Sequence, residues 1–115
     1  MIKKNICMMF IIFTLVGCHG KPPSPQTHET WIKEGYSSAD VYHALLECGF
    51  NKSYNQTDGL THNEIAEGEL CMLKNGFRCR NPKDHITCDY ARYKDLPACQ
   101  EYIKQKEIKG DRLLK

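Results

Sequence analysis

The sequence predicts a small, mainly α-helical domain of about three short helices, joined by irregular loops and stapled by disulfides. Three observations predict it. Apolar residues recur at helical spacing in three separate segments. Serine, threonine or aspartate stands at the head of each segment, where a helix takes its N-cap. Five cysteines fall between residues 48 and 99, which suits a domain too small to rely on its core alone.

In chain order, the first element is not part of that domain. Lys3 and Lys4 precede an apolar run from Ile6 to Val16, broken only by Thr14. Two cations and a short apolar stretch ending in small residues form the layout of a secretory signal peptide. The run falls short of the roughly twenty apolar residues that a spanning helix needs. Leu15, Val16, Gly17 and Cys18 close it, and this tetrad resembles the lipobox of bacterial lipoproteins. The resemblance implies cleavage after Gly17, so that residues 1–17 are lost. It also implies a diacylglycerol on the Cys18 thiol and an acyl chain on its new amino group. Each buried methylene contributes about 0.8 kcal/mol, and two or more chains make membrane attachment stable. His19 follows in place of the aspartate that retains such proteins at the inner membrane of Gram-negative cells, so the resemblance implies the outer membrane, with the body in the periplasm or at the cell surface.

Loss of 17 residues leaves 98 of the 115. It removes Lys3 and Lys4, so that 14 of the 16 Lys and Arg remain against 14 Asp and Glu. A near-neutral body argues against nucleic acid as partner. Residues 18–30 are expected to be the lipidated cysteine and a tether: Pro22, Pro23 and Pro25 favour extended polyproline geometry. Twelve such residues reach some 35–40 Å, at about 3 Å each.

The domain is expected over 31–115. Ser37 and Asp40 make a capping-box pattern, Val41, Ala44, Leu45 and Cys48 make one stripe, and Gly49 is a stop, giving a first helix over 37–48. Thr61 and Glu64 repeat the box ahead of a second helix over 62–74, with Ile65, Ala66, Leu70, Met72 and Leu73 as its apolar arc and Asn75-Gly76 as its end. Gly68 inside that helix costs roughly 1 kcal/mol relative to alanine, and either lets a neighbour approach closely or is incidental. Residues 77–94 have no helical period, and 85–90 read as a short strand. Asp95 is expected to cap a third helix over 96–107, opened by Leu96-Pro97 and facing inward with Leu96, Cys99, Tyr102 and Ile103. The last residues are expected to fray.

The cysteines leave several pairings open: any of the five can be the odd one, and the remaining four pair in three ways. The chain is also similar to small cysteine-containing Gram-negative envelope lipoproteins of unassigned activity. The likeness lies in Trp31, Lys33 and Gly35, in Cys48-Gly49, in Cys71-Met72 ahead of Gly76-Phe77, and in Pro97-Ala98-Cys99. It implies that Cys48, Cys71, Cys88 and Cys99 are structural and Cys79 is additional. The pairing among those four stays open; one set is Cys48–Cys71, tying the first two helices, and Cys88–Cys99, closing the last loop, and an alternative joins Cys79 to Cys88 and leaves another cysteine over. Arg78 and Arg80 flank Cys79, so its thiol is expected to be exposed and its pKa lowered. An odd thiol of this kind favours a disulfide-linked dimer or a mixed disulfide.

No catalytic residue, metal site or cofactor is expected. The five histidines lack ligand spacing, and no Cys-x-x-Cys, Gly-x-Ser-x-Gly or phosphate loop occurs. Glu67 and Asp89 read as solvated surface groups. Two function classes remain. The first is a non-catalytic envelope binding or structural module, with an envelope protein as partner and Trp31, Lys33 and Tyr36 as contact surface. The second is thiol-dependent activity at Cys79.

Overall fold

The computed structural model describes residues 26–115. The signal peptide, the lipidation of Cys18 and the tether as far as residue 25 lie outside the described residues. Among the described residues are three α-helices: α1 (Ser38–Glu47), α2 (His62–Lys74) and α3 (Gln100–Ile108). A two-stranded antiparallel sheet, β1 (Trp31–Ile32) with β2 (Arg78–Cys79), and four 3-10 turns complete the architecture. The domain is mainly helical, and two disulfides, Cys48–Cys71 and Cys88–Cys99, hold it. Among the described residues no helix is long and apolar enough to cross a membrane.

The two longer helices start and stop for local reasons. Ser37 Oγ accepts from Asp40 N and Asp40 Oδ2 accepts from Ser37 N; Thr61 and Glu64 do the same at α2. Both helices end in one motif. Gly49 N donates to Leu46 O and Phe50 N to Leu45 O; Gly76 N donates to Leu73 O and Phe77 N to Met72 O. The glycines take φ of +98° and +90°, the left-handed region that closes a Schellman turn. The phenylalanine after each glycine is buried, so each stop also delivers an aromatic ring to the core. Cys48–Cys71 bridges the end of α1 to the last turns of α2, with Cα atoms 5.6 Å apart.

α2 is the hub. It packs on α1 and on the 3-10 turns at Thr87–Asp89 and Pro97–Cys99, which in turn carry α3. The core between them consists of Trp31, Val41, Leu45, Phe50, Ala66, Met72, Phe77, Ile86 and the buried Cys88–Cys99 bond. Gly68 is buried against Phe50: a Cβ there would lie 2.4 Å from Cε2 and 2.7 Å from Cζ of the ring. The close neighbour is thus an aromatic side chain, and the glycine is required. Gly68→Ala is expected to destabilise the domain by about 1–3 kcal/mol in spite of alanine's better helix propensity, because the buried ring has no slack. Denaturant unfolding checks this, and Phe50→Leu in the same chain should recover part of the loss.

Four sequence expectations are corrected. Residues 85–90 form no strand; Thr87–Asp89 is a 3-10 turn whose Asp89 carboxylate accepts from Ile86 N at 3.0 Å. Asp95 does not cap the third helix. The turn at Pro97–Cys99 has no cap from its own leading residue, and Asn63 Oδ1 of α2 accepts from Ala98 N at 2.8 Å instead. The C-terminal residues are tied down: Leu114 N donates to Asp89 O at 2.7 Å and Ala91 N to Leu114 O at 2.6 Å. The domain also begins earlier than residue 31. Thr27–Glu29 forms a 3-10 turn against α1, where the ring of His28 meets Tyr42 edge-on at 5.7 Å. Residues 26–30, expected in the tether, belong to the fold.

Candidate functional site

The Schellman turn after α2 sends the chain directly into β2, where Cys79 lies opposite Trp31 and Arg78 opposite Ile32. Arg80 continues the pairing, donating from its backbone N to Thr30 O and from Nε to Glu29 O, both at 2.8 Å. Side chains alternate along an extended strand. Trp31 and Cys79 therefore share the inner face, while Ile32 and Arg78 share the outer one. A cleft of about 570 Å³ opens here, walled by Arg78, Cys79, Arg80 and Asp84 over Leu73 and Ile86. A second cavity of about 290 Å³ lies beyond, between Thr30, Trp31, Glu69 and His85. Cys79 and Asp84 line both.

Cys79 is the free cysteine among the described residues, but its environment reverses the expectation. It is half-buried. Burial pushes its thiol up, and the carboxylates of Asp84, Glu69 and Asp89 add to the shift. Arg78 and Arg80, its neighbours in sequence, are exposed. Their charges do not offset this rise; Arg80 Nε is turned to Glu29 O at 2.8 Å.

Asp89 is likewise not a solvated group. It is 7% exposed. Its Oδ1 accepts from Tyr102 Oη and from Lys106 Nζ, each at 2.6 Å, and His85 Nδ1 lies 3.7 Å from its Oδ2. Burial alone would raise its pKa; the hydrogen bonds from Lys106, Tyr102 and Ile86 N outweigh it and hold the carboxyl below its ordinary value. Burial and the same carboxylate keep the Tyr102 phenol protonated. Glu69 has no cation of its own. Its Oε1 accepts from Thr87 N at 3.0 Å, and burial raises its pKa. Tyr102 and Lys106 stand four apart on α3, one turn along the face that the sequence marks as inward, but the charge at 106 gave no sign of a buried partner. Glu67 is exposed, as the sequence suggests.

The expected contact trio divides. Trp31 is 4% exposed and belongs to the core, because its strand position turns it inward. Lys33 Nζ donates to Asn75 O at 2.8 Å, closing the C-terminal end of α2, and stands 4.7 Å and 5.2 Å from the ring centroids of Tyr36 and Phe77. Tyr36, 46% exposed, is the member left open to a partner. Among the described residues no three His, Cys, Asp or Glu side chains converge as metal ligands.

No protein-family model, curated protein or solved structure matches the chain. The chemistry of the site is therefore read from its residues. A thiol held protonated beside three carboxylates is a weak nucleophile near neutral pH. A cleft with two guanidinium groups on its wall and apolar side chains beneath is suited to holding a ligand.

Proposed function

We propose that the chain is a bacterial lipoprotein, anchored to the outer membrane through Cys18 and acting as a non-catalytic binding or structural module of the envelope. The observation that carries this reading is the pair of disulfides, Cys48–Cys71 and Cys88–Cys99. Such bonds persist in oxidising compartments and are rare in the cytosol, and the periplasm is the destination that the signal peptide and lipobox specify. The raised pKa of Cys79 favours binding over thiol chemistry, and it makes a disulfide-linked dimer through Cys79 slow to form.

Mass spectrometry of the membrane-extracted protein is expected to show an acylated Cys18 as the first residue. Cys18→Ser should release the protein from the membrane fraction. A mature chain beginning elsewhere, or membrane association unchanged by the substitution, overturns the reading.

A further inference from the structure

The outer face of β2 carries charge that the domain leaves unused. Arg78 and Arg80 stand two apart on an extended segment, line the same cleft and are both exposed. Among the described residues neither has a carboxylate within ion-pair distance; the pairs present join Asp89 to His85 and Lys106. Glu29 O fixes Arg80 Nε, which leaves the two terminal nitrogens of that guanidinium for a ligand. The acids nearby are largely answered from within. Lys106, Tyr102 and Ile86 N satisfy Asp89, burial disfavours the charge of Glu69, and Asp84 remains as the open acid of the cleft. Ile32, Leu73, Pro82 and Ile86 give the cleft apolar area. Among the described residues β2 pairs with β1 alone.

We propose that this cleft docks an extended segment of a partner protein in which acidic and apolar side chains alternate. Alternate positions of such a segment lie on one face. That spacing sets two carboxylates opposite Arg78 and Arg80, whose guanidinium forks match carboxylate geometry. Its other side chains, on the opposite face of the segment, are free to meet the apolar side chains that line the cleft. The proposal deepens the binding-module reading, rests on it, and names the chemistry of the partner.

The test uses the full chain in mild non-ionic detergent and a fluorescent heptapeptide alternating Glu with Val, read by anisotropy. Saturable micromolar binding is expected. It should weaken about tenfold in Arg78→Gln/Arg80→Gln and severalfold when ionic strength rises from about 0.05 to about 0.3 M. Arg78→Gln alone, which leaves the Arg80–Glu29 contact intact, should show part of the loss with an unchanged circular dichroism spectrum. The proposal is overturned by absence of saturable binding, by equal binding of a Lys-Val heptapeptide, or by insensitivity to the arginine substitutions. It is also overturned if only phosphatidylglycerol vesicles show the arginine dependence, which would make the cleft a membrane contact. A photocrosslinker in place of Tyr36 that captures a partner in cells, with none captured from Arg78, keeps the module reading and overturns the cleft. An unlipidated Cys18 overturns the anchoring and leaves the peptide result standing.

Discussion

Reduction of both disulfides is expected to unfold the domain at ambient temperature. Cys48–Cys71 spans a sequence separation of 23 and Cys88–Cys99 one of 11. Chain-entropy arguments give about 3 kcal/mol for each. A domain of this size has roughly 5–13 kcal/mol in total, so the two bonds together account for much of it. Their accessibility differs, which separates the two effects. Cys88 and Cys99 are fully buried, while Cys48 and Cys71 are half-buried at helix ends. Mild reductant should therefore open Cys48–Cys71 first. The variant Cys48→Ala/Cys71→Ala should lower Tm by about 15 °C. Cys88→Ala/Cys99→Ala should cost more, since it also leaves a cavity where two buried sulfurs packed. Thermal unfolding followed in the far ultraviolet, with and without reductant, checks both. A cooperative transition within a few degrees of the untreated protein after full reduction would contradict the account.

The parts of this fold legible in the sequence are those built from neighbours in the chain. Ser37 with Asp40 and Thr61 with Glu64 are reciprocal caps three residues apart, and Gly49 and Gly76 end their helices through bonds that reach back only three to five residues. The disulfide pairing is not legible in the spacing, which admits many solutions; the resemblance singles out four structural cysteines but not their partners. What escaped depends on contacts across the fold. β1 and β2 are two residues each and meet across some 47 positions of sequence, too short for any alternation to announce them. Asn63 replaces Asp95 as the cap of the third helical segment because α2 brings an amide oxygen to Ala98 N. Cys79 shows the same limit in its chemistry. The residues beside it in the sequence are cationic, but burial in the fold sets its pKa, and carboxylates from the loop after β2, from α2 and from the Thr87–Asp89 turn raise it further. Asp89 has no signature at all, since its partners Tyr102 and Lys106 lie 13 and 17 residues further on.

Stability is expected to rise out of the acid range and to decline again toward neutral pH, set in large part by two carboxyls with opposite shifts. The folded pKa of Asp89 is lowered from 3.8, so the unfolded chain binds the proton more readily. Its contribution is fully present above the unfolded value and is lost as pH falls through the folded one. The folded pKa of Glu69 is raised from 4.5, so here the native state binds the proton more readily, and stability declines as pH rises from about 4.5 through the folded value. Asp40 and Glu64, both lowered by their capping hydrogen bonds, act in the same sense as Asp89 and share the acid limb. Substitutions separate the two limbs. Asp89→Asn keeps the shape but loses the charge and one acceptor oxygen. Either Ile86 N or the Tyr102 and Lys106 pair then faces an amide donor, at about 2–3 kcal/mol, or a fall in Tm of roughly 10–20 °C at neutral pH. The acid limb should become shallower, with the remainder due to Asp40 and Glu64. Glu69→Gln retains the acceptor for Thr87 N and removes the buried charge, so it should raise Tm at neutral pH and flatten the decline above about pH 4.5. Tm measured from about pH 3 to about pH 8 on the three proteins decides the assignment. A decline above pH 4.5 that survives Glu69→Gln would place its origin elsewhere, and an Asp89→Asn protein as stable as the parent would mean that Lys106 and Tyr102 find water as readily as they find the carboxylate.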